Sequence, residues 1–215
     1  MNRTRRTLIA AIAAAAAPFP AALRAQTAAD PGYTVLTQPL PVENPAKVEV
    51  AEFFWYGCPH CYTLEPAIEA WIPKLPADAY FRRIPAVFSE RWALDAAIFY
   101  TFEALGVLAK LHRPFFDAIH RDRLKTDNRA ALDEWLGRNG VDKKKFDESM
   151  KSFGVQSKLK RAAQFSAASK IDGTPAMMVQ GRYTISTEQG GSREGMLANA
   201  ERLIPVVRKT LAGGK

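Results

Sequence analysis

With 47% hydrophobic and 24% charged residues over 215 positions, the chain can bury one sizeable domain and is neither disordered nor fibrous. Its formal charge of +8 overstates the basic character of the folded part: Arg3, Arg5, Arg6 and Arg24 sit in a leader without acids, and removing those four leaves +4. The one basic cluster, Lys143-Lys144-Lys145, stands beside Asp142, Asp147 and Glu148 as a solvated helix face, which excludes a nucleic-acid interface.

Residues 1–25 read as a secretory signal peptide. Arg3, Arg5 and Arg6 precede an Ala-rich apolar run from Leu8 to Phe19, and Leu23-Arg24-Ala25 offers a small residue for cleavage before Gln26. The run is short for a membrane span, although an uncleaved anchor is the alternative. Thr4-Arg5-Arg6-Thr7-Leu8-Ile9 is similar to a twin-arginine export signal, so either export route is open. An exported chain works where disulfides persist, which places it in the periplasm.

Residues 33–36 form one short apolar stretch suited to an edge strand, within a Pro-, Ala- and Gly-rich segment, 26–46. The apolar run 48–54, within a strand read over 47–54, predicts a buried strand interrupted by Glu52. Gly57 turns the chain into an amphipathic helix that begins at Cys58-Pro59 and runs through Ile68 and Trp71. Pro66 should kink it, and Pro73 and Pro76 should end it. Residues 80–88 predict a second, parallel strand with Phe81, Ile84 and Val87 inward, completing a βαβ unit. Helical spacing then dominates: 92–105, 108–121, 128–139, 142–153 and 155–169, with Gly106 and Gly140 as stop signals. Strand patterns return at 174–179 and 182–185 around a Gln180-Gly181 turn. Ser192 caps a final helix whose apolar stripe is Met196, Leu197, Ala200, Leu203, Ile204 and Val207.

The chemistry concentrates at Cys58-Pro59-His60-Cys61. Pro59 suits the first helical position, which puts Cys58 at or near the N-cap with its sulfur facing the free N–H groups of the first turn. Those donors and the positive end of the helix favour a thiolate. Cys61 falls on nearly the same helical face, close enough for a bridge. These are the only two cysteines, so no wider disulfide framework exists. A purely structural bridge over so short a loop would stabilise by only about 2 kcal/mol. A structural zinc site needs more ligands than His60, His112 and His120 supply at these spacings. The pair therefore points to thiol–disulfide exchange and needs no metal and no cofactor beyond its own redox-active disulfide. His60 could hydrogen-bond to or charge-stabilise Cys58, or simply be an exposed loop histidine. Glu52 lies on the same strand face as Phe54, where burial would raise its pKa; the other reading pairs it with Arg83 on the adjoining strand. Glu65 reads as a surface residue.

The order βαβ, helical insertion, ββα, together with Glu52-Phe53-Phe54, Cys58-Pro59-His60-Cys61-Tyr62, Gly173-Thr174-Pro175-Ala176-Met177 and Val179-Gln180-Gly181, resembles the DsbA family of periplasmic thiol oxidases over nearly the whole mature chain. Thioredoxins carry Gly-Pro between the cysteines and protein disulfide isomerases Gly-His, so Pro59-His60 favours DsbA. The resemblance implies an α/β, thioredoxin-like fold: residues 26–88 and 170–215 form the thioredoxin-like domain, and 89–169 an inserted all-helical domain. It further implies that Pro175 is a cis-proline facing the cysteines, where the residues alone would also allow an ordinary turn. Many family members have Val before that proline; Thr174 is the departure here and leaves oxidant strength and partner choice open. Glu52 would be a buried acid assisting proton transfer at Cys61. Substrates would be unfolded exported polypeptides with free thiols, held near Thr174 and Pro175 and an apolar groove at Trp55, Tyr56 and Met177; the groove residues could equally be core, the reading favoured for Met177. Reoxidation would come from a DsbB-type membrane oxidase, the protein acting as a monomer. The rival readings are a disulfide isomerase or reductase on the same fold, a metal-handling module using Cys58, His60 and Cys61, and a chaperone-like binder whose disulfide is only structural.

Overall fold

The protein was analysed as a computed structural model, which describes residues 32–213; the expected signal peptide lies outside them. Among the described residues no helix is long and apolar enough to cross a membrane.

The strands are β1 (Thr34–Val35), β2 (Val48–Phe54), β3 (Ala79–Pro85), β4 (Ala176–Val179) and β5 (Tyr183–Ile185), in the sheet order β1-β5-β4-β2-β3. Strand β2 pairs parallel to β3 and antiparallel to β4. Helix α1 (Pro59–Trp71) makes the crossover from β2 to β3, and it runs through Pro66 as one element before a 3₁₀ turn at Ile72–Lys74. Every residue of β2 is buried, as expected for a strand covered on both faces. One face, with Val48 and Val50, packs on Leu64 and Ile68 of α1 and on Met196, Ala200, Leu203 and Ile204 of α8 (Arg193–Gly213). The other, with Ala51 and Phe53, packs on Ala162 and Phe165 of α6 (Phe153–Ala168).

Between β3 and β4 the chain is helical: α2 (Glu90–Ala104), α3 (Leu108–His120), α4 (Arg129–Arg138), α5 (Lys143–Met150), then α6. Local chemistry sets these boundaries. Ser89, Asn128, Asp142 and Ser152 each accept from a first-turn N–H, which satisfies one of the orphan donors. Gly106 and Gly140 take positive φ just beyond α2 and α4. The Ser152 cap starts α6 at Phe153, so that residue leads α6, where the spacing had closed α5 with it. A short α7 (Thr187–Gly190), closed by a capping box between Ser186 and Gln189, was not read from the sequence.

One expectation on β3 is corrected. Phe81 packs with the α1 and α8 side, whereas Ile84 packs with the α6 side. Residues three apart on a strand point to opposite faces, and the strand ends at Pro85, before Val87.

Phe54 joins a third cluster with Cys58, Cys61, Phe99, Phe102, Phe115, Phe116, Leu136 and Phe146. The helical segment therefore builds its core directly against the end of β2 and the start of α1.

The β4–β5 turn places Gln180 and Gly181 at φ 52° and 61°, with the Arg182 N–H donating to the Val179 carbonyl. A Cβ on Gly181 would run into the carbonyl of Leu40. Gly181→Ala should lower stability by at least about 1–3 kcal/mol in urea unfolding, while leaving the Cys58 thiolate titration where it was.

Candidate active site

Strand β2 ends at Phe54, and four residues later Cys58 caps α1, with φ −84° and ψ 115° and Pro59 just inside the helix. The Cys61 N–H points at the Cys58 sulfur at 3.4 Å. In its thiol form Cys58 donates to the carbonyl of Thr174 at 3.2 Å. The Thr174–Pro175 peptide bond is cis, so the expected cis-proline is present and the residue before it lies against the first cysteine. Both cysteines are unbridged; Cys58 keeps 6% of its surface exposed and Cys61 none.

The intervening loop is held from the helical segment. Trp55 Nε1 donates to Asp95 at 2.7 Å, and its indole stacks on Trp92 at 4.4 Å. The carbonyl of Tyr56 takes a hydrogen bond from His120 Nε2 at 2.8 Å. Tyr62 donates to Asp117 at 2.7 Å and stacks on His120. Gly57 has no room for a side chain, because a Cβ would enter the Trp55 ring.

The two sulfurs differ in chemistry. Cys58 is lowered to about 5: the Cys61 thiol hydrogen bond contributes most, and Thr174 and the backbone N–H groups of Cys61 and His60 add to it against the cost of burial. Burial pushes the Cys61 thiol well above its ordinary value, and it donates to the Cys58 anion. A nucleophilic, good-leaving sulfur therefore keeps a small opening to solvent, with a proton-holding one beneath it.

Behind them lies a buried polar cluster. Glu52 is fully buried, and burial followed by the nearby Glu65 raises it to about 8. Arg83 Nε stands 3.6 Å from one of its oxygens, so the acid is both buried with a raised pKa and flanked by the arginine. Glu65 corrects an expectation. It is fully buried, accepting from Arg83 Nη2 at 2.7 Å and from His112 Nε2 at 3.3 Å. The signal was present: Glu65 follows Cys61 by four residues, one helical turn, on the face that also carries Leu64 and Ile68. His112, likewise missed, interrupts the apolar face of α3 between Leu111 and Phe115.

The remaining site residues are placed as follows. Pro59 and His60 are exposed. The His60 ring meets Arg193 Nη1 at 3.1 Å, and His60 acts on Cys58 through its backbone N–H. Of the residues weighed as groove or core, Tyr56 and Met177 are core. Thr174 and Pro175 instead border a cleft of about 360 Å³ whose other walls include Lys170, Asp172, Ser186, Glu188 and Gln189. That cleft is polar because the turn before β4 and the cap of α7 supply its walls. Among the described residues no three His, Cys, Asp or Glu side chains are grouped to hold a metal ion.

A family model for a DSBA-like thioredoxin domain matches residues 79–200. The thiol:disulfide interchange protein DsbA of Azotobacter vinelandii is 43% identical over 172 residues, 80% of each chain. That of Pseudomonas aeruginosa is 38% identical over 201 residues, 93% of this chain and 95% of its own. The crystal structure of Pseudomonas aeruginosa DsbA aligns with a TM-score of 0.79 at 38% identity, covering 86% of this chain and 95% of that one. The oxidoreductase NmDsbA1 of Neisseria meningitidis aligns with a TM-score of 0.72 at 29% identity, covering 83% and 92%.

Two measurements follow from the sulfur electrostatics. A lowered Cys58 pKa stabilises the folded, reduced protein fully above the unfolded thiol's pKa, and that contribution is lost as pH falls from about 9 to about 5. The bridged form has no such thiolate, and Glu52 is common to both forms. The melting-temperature advantage of reduced over oxidised protein should therefore shrink across that window; a constant gap would contradict the lowered pKa. Thr174→Val removes one of the groups favouring the anion and should raise the Cys58 midpoint, read from the thiolate ultraviolet band.

Proposed function

The chain belongs to the DsbA-like thioredoxin family, and on that premise we propose that Cys58 and Cys61 are its redox pair, passing their disulfide to unfolded, newly exported polypeptides with free thiols. The chain is a thiol:disulfide oxidoreductase. What supports the direction of transfer is the inequality of the two sulfurs, Cys58 lowered to about 5 and Cys61 raised.

A substrate thiolate attacks Cys58, the bond between Cys58 and Cys61 breaks, and the electron pair leaves on Cys61. That sulfur is buried and takes a proton. Glu52, raised to about 8 and so holding a proton at neutral pH, lies near enough to Cys61 for its ionised form to act on that sulfur, and is the acid that supplies the proton. A second substrate thiolate then attacks the substrate sulfur of the mixed disulfide, and Cys58 departs as the stable anion. Each pKa unit by which Cys58 is lowered corresponds to about 1.4 kcal/mol in favour of that anion, so the reduced enzyme is the stabilised product and the disulfide an oxidant.

Thr174 and Pro175 present the substrate chain beside Cys58, with the adjoining polar cleft receiving extended backbone and its side chains. Pro59 presets the first turn of α1, and His60 contributes its backbone N–H to the anion. The protein works as a monomer in the periplasm, delivered there by residues 1–25. A DsbB-type membrane oxidase restores the disulfide, so no further cofactor is required.

The trapping experiment decides between transfer and a merely structural bridge. Cys61→Ala protein, incubated with a polypeptide bearing an activated disulfide, should accumulate a mixed disulfide through Cys58. Cys58→Ser should form none, and wild-type oxidised protein should convert a reduced two-thiol peptide to its bridged form. Absence of an adduct in the Cys61→Ala protein would remove the proposed mechanism.

A further inference from the structure

Two carboxylates, Glu52 and Glu65, are fully buried behind the cysteines with one guanidinium, Arg83, against both. Two buried acids facing a single cation do not both ionise freely, so one of them tends to hold a proton. Their surroundings are unequal. Glu65 receives Arg83 Nη2 at 2.7 Å, Arg83 Nε at 3.3 Å and His112 Nε2 at 3.3 Å. Neither oxygen of Glu52 has a hydrogen-bond partner. His112 belongs to α3, in the helical segment, and its other nitrogen lies 2.9 Å from the hydroxyl of the buried Tyr56.

We propose that His112 is a positioning residue: by donating Nε2–H to Glu65 it holds that carboxylate as the anion and so assigns the proton of the pair to Glu52. This rests on the reading of Cys58 and Cys61 as the redox pair, with Glu52 as their acid.

The tautomer follows from the partners. Burial keeps the Tyr56 phenol protonated, and its O–H donates into Nδ1. Nδ1 is then the bare nitrogen. Burial also keeps the imidazole neutral, so its one proton is on Nε2, facing Glu65. The charged groups acting on it are Glu65 of α1, Arg83 of β3 and Arg113 of its own helix, the two arginines opposing a cationic ring and Glu65 favouring one. Glu65 ends below its ordinary value because the donor from His112 and the charge of Arg83 outweigh its burial. Its charge in turn helps hold Glu52 in the acid form. Without the His112 donor Glu65 would take up a proton more readily and compete with Glu52 for the one the pair holds. The margin that keeps an acid, and not a carboxylate, beside the leaving Cys61 would narrow.

The wild-type protein supplies the first test. Nitrogen NMR of histidine-labelled reduced protein at neutral pH should show His112 with a protonated Nε2 and a bare Nδ1; the other tautomer, or an imidazolium, overturns the proposal. The second test follows the Glu65 carboxyl by infrared titration, assigned with Glu65→Gln. Its midpoint should rise by about one pH unit in His112→Leu, the effect of one lost hydrogen bond to a charged group. It should return to the wild-type value in His112→Gln, whose amide both donates and accepts. An unmoved midpoint in the leucine variant, or a shift that glutamine does not reverse, sinks the role of His112. Disulfide transfer by the wild-type protein, run alongside, keeps the two readings apart: if transfer itself is absent the redox assignment falls, and if transfer occurs with the midpoint unmoved only the histidine's role falls.

Discussion

The site depends on a sulfur occupying the N-cap of α1. An N-cap side chain faces backbone donors that the helix cannot satisfy internally, and a thiol is a weak acceptor where a thiolate is a strong one. The helix end therefore selects the charged form of Cys58. The same helix carries Cys61 one turn inward, where burial selects the neutral form. One rigid element thus holds two identical side chains one turn apart in opposite protonation preferences. Everything else around them either maintains that contrast or uses it.

The helical segment does much of the maintaining. Its aromatic core, built on Phe99, Phe102, Phe115 and Phe116, is continuous with Phe54, Tyr56 and both cysteines. From it come the stack on Trp55, the acceptor for the Trp55 indole, the donor to the Tyr56 carbonyl and the acceptor for the Tyr62 hydroxyl. A loop tied at so many points has little freedom to move the Cys58 sulfur away from its donors. Although it lies between β3 and β4 in the chain, the segment is a wall of the reaction site.

The buried acids are costly to keep. A carboxylate removed from water without hydrogen bonds is strongly disfavoured and tends to take up a proton, and Glu52 has no hydrogen-bond partner for either oxygen. An apolar residue of similar size would pack there without that penalty. Retention of Glu52 beside the fully satisfied Glu65 is understandable if the proton on Glu52 is used, since the sulfur beneath Cys58 must gain one whenever the disulfide opens. The neutrality of His112 and the ionisation of Glu65 are two sides of the same arrangement.

Much of this was legible in the residues. The strand run ending at Phe54, the Pro59 signal, the cap at Ser192, and the glycines after α2 and α4 act through local backbone chemistry, so the order of elements and the place of Cys58 at the start of the helix could be read without coordinates. The resemblance carried by the Cys58–Cys61 motif and by Thr174-Pro175 supplied the fold and the cis-proline. Where reading failed, the deciding contacts were distant in the chain. Glu65 looked like a surface acid because its partners, Arg83 and His112, lie 18 and 47 residues away. Tyr56 reads as either groove or core because only the packed helices bury it. Phe81 and Ile84 were set on one face against the two-residue period of a strand. The sequence by itself determined which sulfur caps the helix, because that is a matter of neighbouring peptide groups. Only the tertiary structure decided which carboxylate is bare and which is held, because a buried group's proton depends on the donors and charges that folding brings to it.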